Sequence, residues 1–202
     1  MNINTAILEG AKFLRKNYIK YPELDSEILL AKVLNKEREF IILNLHKKIE
    51  DFNLKIYKDL IKQRSLGQPI AYLTEKKNFW NSEFKISKGT LIPRPDTEIL
   101  IEEILKIYKH KDNISILDIG VGSGCILLSI LNEKKDFNGV GIDISKKCID
   151  LSRINTFKLG LNNRVKFFKS DVDNFNNGKY DLIISNPPYI KKYELKYLEK
   201  DV

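Results

Sequence analysis

The sequence is poor in residues that build covalent or metal-held frameworks. It has two cysteines, Cys125 and Cys148, and two histidines, His46 and His110. The cysteines lie inside apparently regular segments, and the histidines stand far from them and from each other. That pattern excludes a disulfide scaffold and a zinc cluster, and it fits a reducing cytoplasm. No apolar run approaches the roughly 18 residues of a membrane span. Met1 to Ala11 lacks the basic start and continuous apolar core of a secretory signal. Arginine is scarce too, at six of the 35 basic residues (Arg15, Arg38, Arg64, Arg94, Arg153, Arg164). The net charge is +8, but the excess lysine travels with abundant Ile and Asn. It reads as a compositional skew as readily as a phosphate-binding patch, so direct nucleic-acid binding is not expected.

What is present suffices for a packed fold. At 202 residues and 43% hydrophobic, the chain can form one sizeable domain plus a smaller one. Ile7, Leu8, Ala11, Leu14 and Tyr18 recur at helical spacing. Pro22 suits the first turn of a second helix with Leu24, Ile28, Ala31 and Leu34 facing inward. A short helix is expected over Phe40 to Leu45, and another from Phe52 through Ile56, Leu60 and Ile61 to a stop at Gly67. Residues 1–71 thus read as a helical bundle, either a packing appendage or a substrate-docking domain. Residues 72–90, with Phe79, Trp80, Phe84 and Ile86 around Asn81-Ser82, read as a β-hairpin linker.

Residues 91–202 carry the chemistry. A stiff strap, Leu91 to Glu98 with Pro93 and Pro95, leads into a helix that Asp96 is expected to cap. Four short apolar runs then each end at a polar or glycine-rich residue. Ser115 to Ile119 runs into Gly120-Val121-Gly122-Ser123-Gly124, ahead of the apolar helix Cys125 to Leu131. Gly139 to Ile142 ends at Asp143, about 20 residues past the glycines, where an acid can bind ribose hydroxyls. Ser145 is placed to cap the following helix. Val165 to Phe168 leads to Asp171-Val172, and Asp181 to Ser185 leads to Asn186-Pro187-Pro188-Tyr189. Alternating strands and helices imply a parallel α/β sheet, in which ligands sit at the carboxyl ends of the strands. Proline has no N–H and pushes the preceding residue into extended geometry, so Asn186 is expected to be held stiffly.

Together these residues resemble the class I S-adenosylmethionine-dependent methyltransferases. The segments Gly67 to Thr74 and Leu91 to Glu98 are similar to those of the bacterial peptide chain release factor N5-glutamine methyltransferases. The resemblance implies a Rossmann-like sheet, S-adenosyl-L-methionine as cofactor, and methylation of the glutamine in the Gly-Gly-Gln loop of release factors. By the same resemblance Gly120, Val121, Gly122, Ser123 and Gly124 pass the cofactor's methionine part with Asp118 bracing it, and Asp143 takes the ribose hydroxyls. Asp171 and the Val172 N–H take the adenine. Asn186 and Pro187 hold the substrate amide, Pro188 stiffens the turn, and Tyr189 packs on the amide or lies near the sulfonium.

The sequence departs from the family pattern at Val172, where many relatives have a large aromatic, and at Glu75, where a glycine is common. A complete sheet of this type has seven strands and only four are placed here, so the reading expects an incomplete sheet with the fourth strand at its edge. A monomer is expected, without membrane attachment. The rival readings are a nucleic-acid base amino methyltransferase, since the same motif can hold the amino group of a flipped base, and a cofactor-binding protein without turnover.

Overall fold

The structure is a computed structural model, and it describes residues 1–187. The chain divides into two compact units, the first covering Met1–Thr74 and the second opening at Glu75. Among the described residues, no helix is long and apolar enough to cross a membrane.

The first unit holds five helices: α1 (Ile3–Lys16), α2 (Pro22–Leu34), α3 (Arg38–Leu43), α4 (Asp51–Ser65) and α5 (Ile70–Thr74). Asn2 caps α1 by accepting the Thr5 amide at 2.8 Å, and Pro22 opens α2 as expected. Gly67 adopts φ 89 past the end of α4, the left-handed stop read from the sequence. The helix faces are rotated from the apolar periodicity. Leu8, Leu24, Phe52 and Ile56 are exposed, and Tyr18 is 92% exposed with φ 61.

Polar groups set the true faces. Tyr57 sits where a Cβ on Gly10 would come within 2.1 Å of its hydroxyl, and it hydrogen-bonds Ser26 and the Ala6 carbonyl. The Arg64 guanidinium meets Asp25 at 2.6 Å with both side chains buried. Pairing satisfies these groups inside the bundle, so they displace larger apolar side chains to the surface. Ile3, Leu14, Leu29, Leu30 and Ile41 complete the core.

The second unit opens with an antiparallel hairpin, β1 (Lys76–Phe79) and β2 (Ser82–Lys85). Its turn is Trp80-Asn81, one residue earlier than the sequence suggests. Trp80 takes φ 52 and is tied down on both sides: its N–H donates to Glu98 and its indole N–H to Glu133, each at 2.7 Å. Glu75 sits at φ 61 while its carbonyl accepts from Ile86, so a glutamate occupies a left-handed position that suits glycine.

Pro95–Thr97 forms one 3-10 turn, and α6 (Glu98–Ile107) follows. Asp96 does not cap it: the 3-10 turn moves the helix start to Glu98 and leaves the Asp96 side chain in solvent, with no side-chain cap bond at either helix.

The remaining elements alternate: β3 (Ser115–Ile119), α7 (Cys125–Glu133), β4 (Asn138–Asp143), α8 (Lys146–Lys158), β5 (Val165–Lys169) and β6 (Leu182–Ser185). The four strands are parallel in the order β5-β4-β3-β6. This is the expected Rossmann-like α/β arrangement, with β6 at one edge among the described residues. Ile116, Leu127, Leu128, Ile130, Leu131, Phe137 and Ile142 form the core between sheet and helices. Because β6 pairs with β3 on the side away from β4, the connection reverses direction at β3. A crevice opens at such a reversal, outside the carboxyl ends of the strands.

Candidate functional site

Strand register brings the site together. Ile119 lies opposite Ile142 on one side and Ser185 on the other, so the residues following β3, β4 and β6 share one rim of the sheet. The glycine loop, Asp143 and Asn186 therefore lie at neighbouring strand ends although they are far apart in sequence. The Ser185 hydroxyl donates to the Ile119 carbonyl at 2.9 Å and ties the end of β6 to the start of the loop.

The glycine loop turns sharply off β3. The Gly120 and Val121 amides both donate to the Ile142 carbonyl at 2.9 Å. Gly120 has φ 74, and a Cβ there would meet nothing within 4 Å, so this backbone faces open space. Gly124 has φ 82 at the start of α7, where a Cβ would come within 2.9 Å of Leu128. The first glycine keeps the loop surface bare, and the last lets helix and loop pack closely.

Side chains from β4 and α8 hold the loop in place. Asp143 is half-buried; one of its oxygens accepts from Gly122 at 3.0 Å and the other from Ser145 at 2.8 Å. Ser145 caps α8 as expected, accepting the Cys148 amide at 3.4 Å. Ser152 donates to the Gly122 carbonyl at 2.9 Å, and Asn155 donates to the Ser123 carbonyl at 2.8 Å. Neither residue figures in the sequence reading. A signal for them exists: Cys148, Ser152 and Asn155 follow the buried stripe of α8, and buried polar groups on such a stripe need partners.

Asp118 lies at the end of β3, 1% exposed, with its Oδ2 buried and without a hydrogen-bond partner. Burial pushes its carboxyl up to about 7; the Leu127 backbone amide opposes that rise and the nearby Asp143 charge adds to it. The Ser123 hydroxyl is likewise buried without a partner. Burial also pushes the Cys125 thiol up to about 12, so it is a poor nucleophile at neutral pH. Among the described residues no cluster of His, Cys, Asp and Glu suits a metal ion.

Asp171 is exposed beyond β5, and both its carboxylate oxygens accept from Asn174 at 2.7 to 2.9 Å. Val172 is also exposed. Asn186 is half-buried, its Nδ2 donating to the Thr97 hydroxyl at 3.3 Å, and Pro187 follows in the open. Pro188 and Tyr189 lie outside the described residues.

Sequence comparison supplies the decisive observation. The PrmC N-terminal domain matches residues 5–74, and the Methyltransferase small domain matches residues 94–199. A release factor glutamine methyltransferase of Buchnera aphidicola is 40% identical over 202 residues, covering 100% of this chain and 72% of that protein. The chain belongs to the release factor glutamine methyltransferase family. A second member, from Clostridium acetobutylicum, is 40% identical over 205 residues with the same coverage of both chains. A solved RNA methyltransferase from Salinibacter ruber, in complex with S-adenosyl-L-homocysteine, overlays with a TM-score of 0.41 at 20% identity, covering 46% of this chain and 60% of that one. The match to the release factor glutamine methyltransferases thus runs through the helical unit, the hairpin and the sheet.

Proposed function

We propose that this chain transfers a methyl group from S-adenosylmethionine to the side-chain amide nitrogen (N5) of the glutamine in the Gly-Gly-Gln loop of peptide chain release factors, in support of translation termination. The observation that carries this reading is the position of Asn186, at the end of β6 and directly beside the glycine loop that follows β3. An amide-holding group and a ligand-cradling loop on adjacent strand ends suit transfer between two bound molecules.

The residues fit the cofactor. Gly120 offers bare backbone toward open space, and the buried, unpartnered Oδ2 of Asp118 lies at the base of the loop, an acceptor in need of a donor. Gly120 to Gly124 cradle the methionine part, Asp143 takes the ribose hydroxyls, and Asp171 with the Val172 N–H takes the adenine. When bound, the cofactor supplies an electrophilic methyl group on a sulfonium.

An amide nitrogen is a weak nucleophile because its lone pair is delocalised into the carbonyl. The Asn186 Oδ1 and the Pro187 carbonyl accept its two N–H bonds, hold the nitrogen in line and raise its electron density. Each bond contributes about 0.5 to 1.5 kcal/mol. Orientation is the larger effect, at about 7 to 11 kcal/mol where geometry is pre-set. Pro188 and Tyr189 complete the same motif in sequence. The proton displaced from nitrogen leaves to solvent after transfer, so no general base is required beforehand.

In this reading the helical unit docks the release factor, and the enzyme acts in the cytoplasm as a monomer. A transfer assay with labelled S-adenosylmethionine tests the reading, using wild type and Asn186→Ala on release factor, on its Gln-to-Ala variant and on DNA. Label is expected only on the intact release factor, and Asn186→Ala is expected to transfer it far more slowly than wild type. Label on DNA, or label that persists on the Gln-to-Ala substrate, would overturn the proposal.

A further inference from the structure

Asparagine presents an oxygen acceptor on one side of its amide and an NH2 donor on the other, and the two ends have nearly the same shape. A substrate glutamine offers its reacting nitrogen as an NH2 group, which can only donate. Asn186 is therefore useful in one of two amide orientations: with Oδ1 turned to the substrate it accepts, and with Nδ2 turned to the substrate two donors collide. Pro187 restricts the Asn186 backbone but not the outer side-chain torsion, which is broad and roughly two-fold for asparagine. Something besides the backbone must hold that torsion.

In the structure that hold comes from Thr97. Nδ2 of Asn186 donates to Thr97 Oγ1 at 3.3 Å, which leaves Oδ1 as the free end. Thr97 is a fixed post. It lies in the 3-10 turn Pro95–Thr97, its own N–H donates to the Arg94 carbonyl at 3.0 Å, and its β-branched side chain is stiff at χ1. The next residue, Glu98, accepts the Trp80 amide at 2.7 Å, which fastens the start of α6 to the hairpin.

The position of Thr97 also explains why its hydroxyl is available. Thr97 is the residue before α6, where a threonine ordinarily uses its oxygen to cap the helix. Here it makes no cap bond. The lone pairs spared from capping accept from Asn186 instead.

We propose that Thr97 is a positioning residue that pins the side-chain amide of Asn186, with its far end left for the acceptor nitrogen; this rests on the methyl-transfer reading above. The strap between Pro93 and Glu98 thereby joins the acceptor side of the site. Thr97 acts on the reaction through Asn186 and touches neither the cofactor nor the substrate.

The test compares Thr97→Val, which keeps the shape and loses the oxygen, with Thr97→Ser, which keeps the oxygen, each in wild-type and Asn186→Ala backgrounds. Transfer to release factor is followed by steady-state kinetics, S-adenosylhomocysteine binding by calorimetry, and folding by thermal melting. Thr97→Val should lower kcat roughly 10- to 100-fold, with product-cofactor affinity within about twofold of wild type and an unchanged melt. Thr97→Ser should restore most of kcat, and in the Asn186→Ala background Thr97→Val should have no further effect. Full activity of Thr97→Val, a Thr97→Ser variant no better than valine, an additive loss in the Asn186→Ala background, or a loss traced to cofactor binding or to melting overturns the role of Thr97 while the function stands. Absence of label on release factor with wild type overturns both.

Discussion

The Asn155 side-chain amide donates to the Ser123 carbonyl at 2.8 Å and, through the same nitrogen, to the Lys85 carbonyl at 3.1 Å, while its oxygen accepts the Lys85 amide at 2.7 Å. One buried amide therefore joins the glycine loop to the inner strand of the hairpin. Replacing it with leucine, close in size, leaves a loop carbonyl and both backbone groups of Lys85 without this partner. An unsatisfied buried group costs about 1 to 3 kcal/mol. We expect Asn155→Leu to lower the melting temperature and to weaken S-adenosylhomocysteine binding roughly tenfold, with calorimetry as the readout. Unchanged affinity alongside a lowered melt would show that the loop does not depend on this bridge.

The two ends of the glycine loop should respond differently to alanine. Both Gly120 and Gly124 have positive φ, so each substitution carries a backbone cost of about 1 kcal/mol. At Gly120 the new methyl enters open space and meets no protein atom, so Gly120→Ala should fold nearly as well as wild type and bind the cofactor poorly. At Gly124 the methyl meets Leu128 within 2.9 Å. Gly124→Ala should therefore lose stability well beyond the backbone cost. Melting curves and cofactor titrations on the same preparations separate the two.

Asp118 predicts a pH dependence of stability. Its carboxyl ionises near 3.8 in the unfolded chain and, through burial, near about 7 in the folded one. The folded state thus holds the proton more tightly. That advantage is fully present below about pH 4 and is lost as pH rises through about 7, reaching up to about 4 kcal/mol. Asp118→Asn cannot titrate, so its stability relative to wild type should grow between about pH 4 and about pH 7 and level off above that. Parallel stability curves for the two proteins would rule this assignment out.

Glu75 occupies a left-handed conformation at φ 61 next to the hairpin. For a residue with a side chain that conformation costs about 1 to 2 kcal/mol, part of which glycine returns through its greater freedom in the unfolded chain. Glu75→Gly should raise stability by about 1 kcal/mol, measurable by denaturant titration, with kcat unaltered.

The catalytic unit was more legible from sequence than the helical one, for a physical reason. Strands β3, β4, β5 and β6 are short apolar runs that end abruptly at glycine, aspartate or asparagine, and the parallel order follows from the alternation with helices. In the bundle, hydrophobic spacing puts Leu8 on the apolar stripe of the first helix and turns Leu24 inward, whereas Asp25, Ser26 and Tyr57 are buried and those two leucines are not. Periodicity weighs side chains one at a time, but burial of an aspartate is decided by an arginine 39 residues away. The same limit hid the supports of the site. Thr97 reads as part of a helix start and Asn155 carries no signal of its role, because their partners come from other elements. Asp171 stands just beyond β5 as read from the sequence, yet its engagement with Asn174 is a local turn that strand-end reasoning does not anticipate.

The strand order also fixes a sequence of assembly. The glycine loop and the groups that hold it, from Asp118 to Asn155, lie within four consecutive elements, β3 to α8, so this loop is encoded almost locally. The acceptor half depends on β6, which can pair with β3 only after β5 and the following loop have been made. During synthesis the cofactor loop can therefore form first. The strand end that carries Asn186 forms later, when Ser185 reaches Ile119.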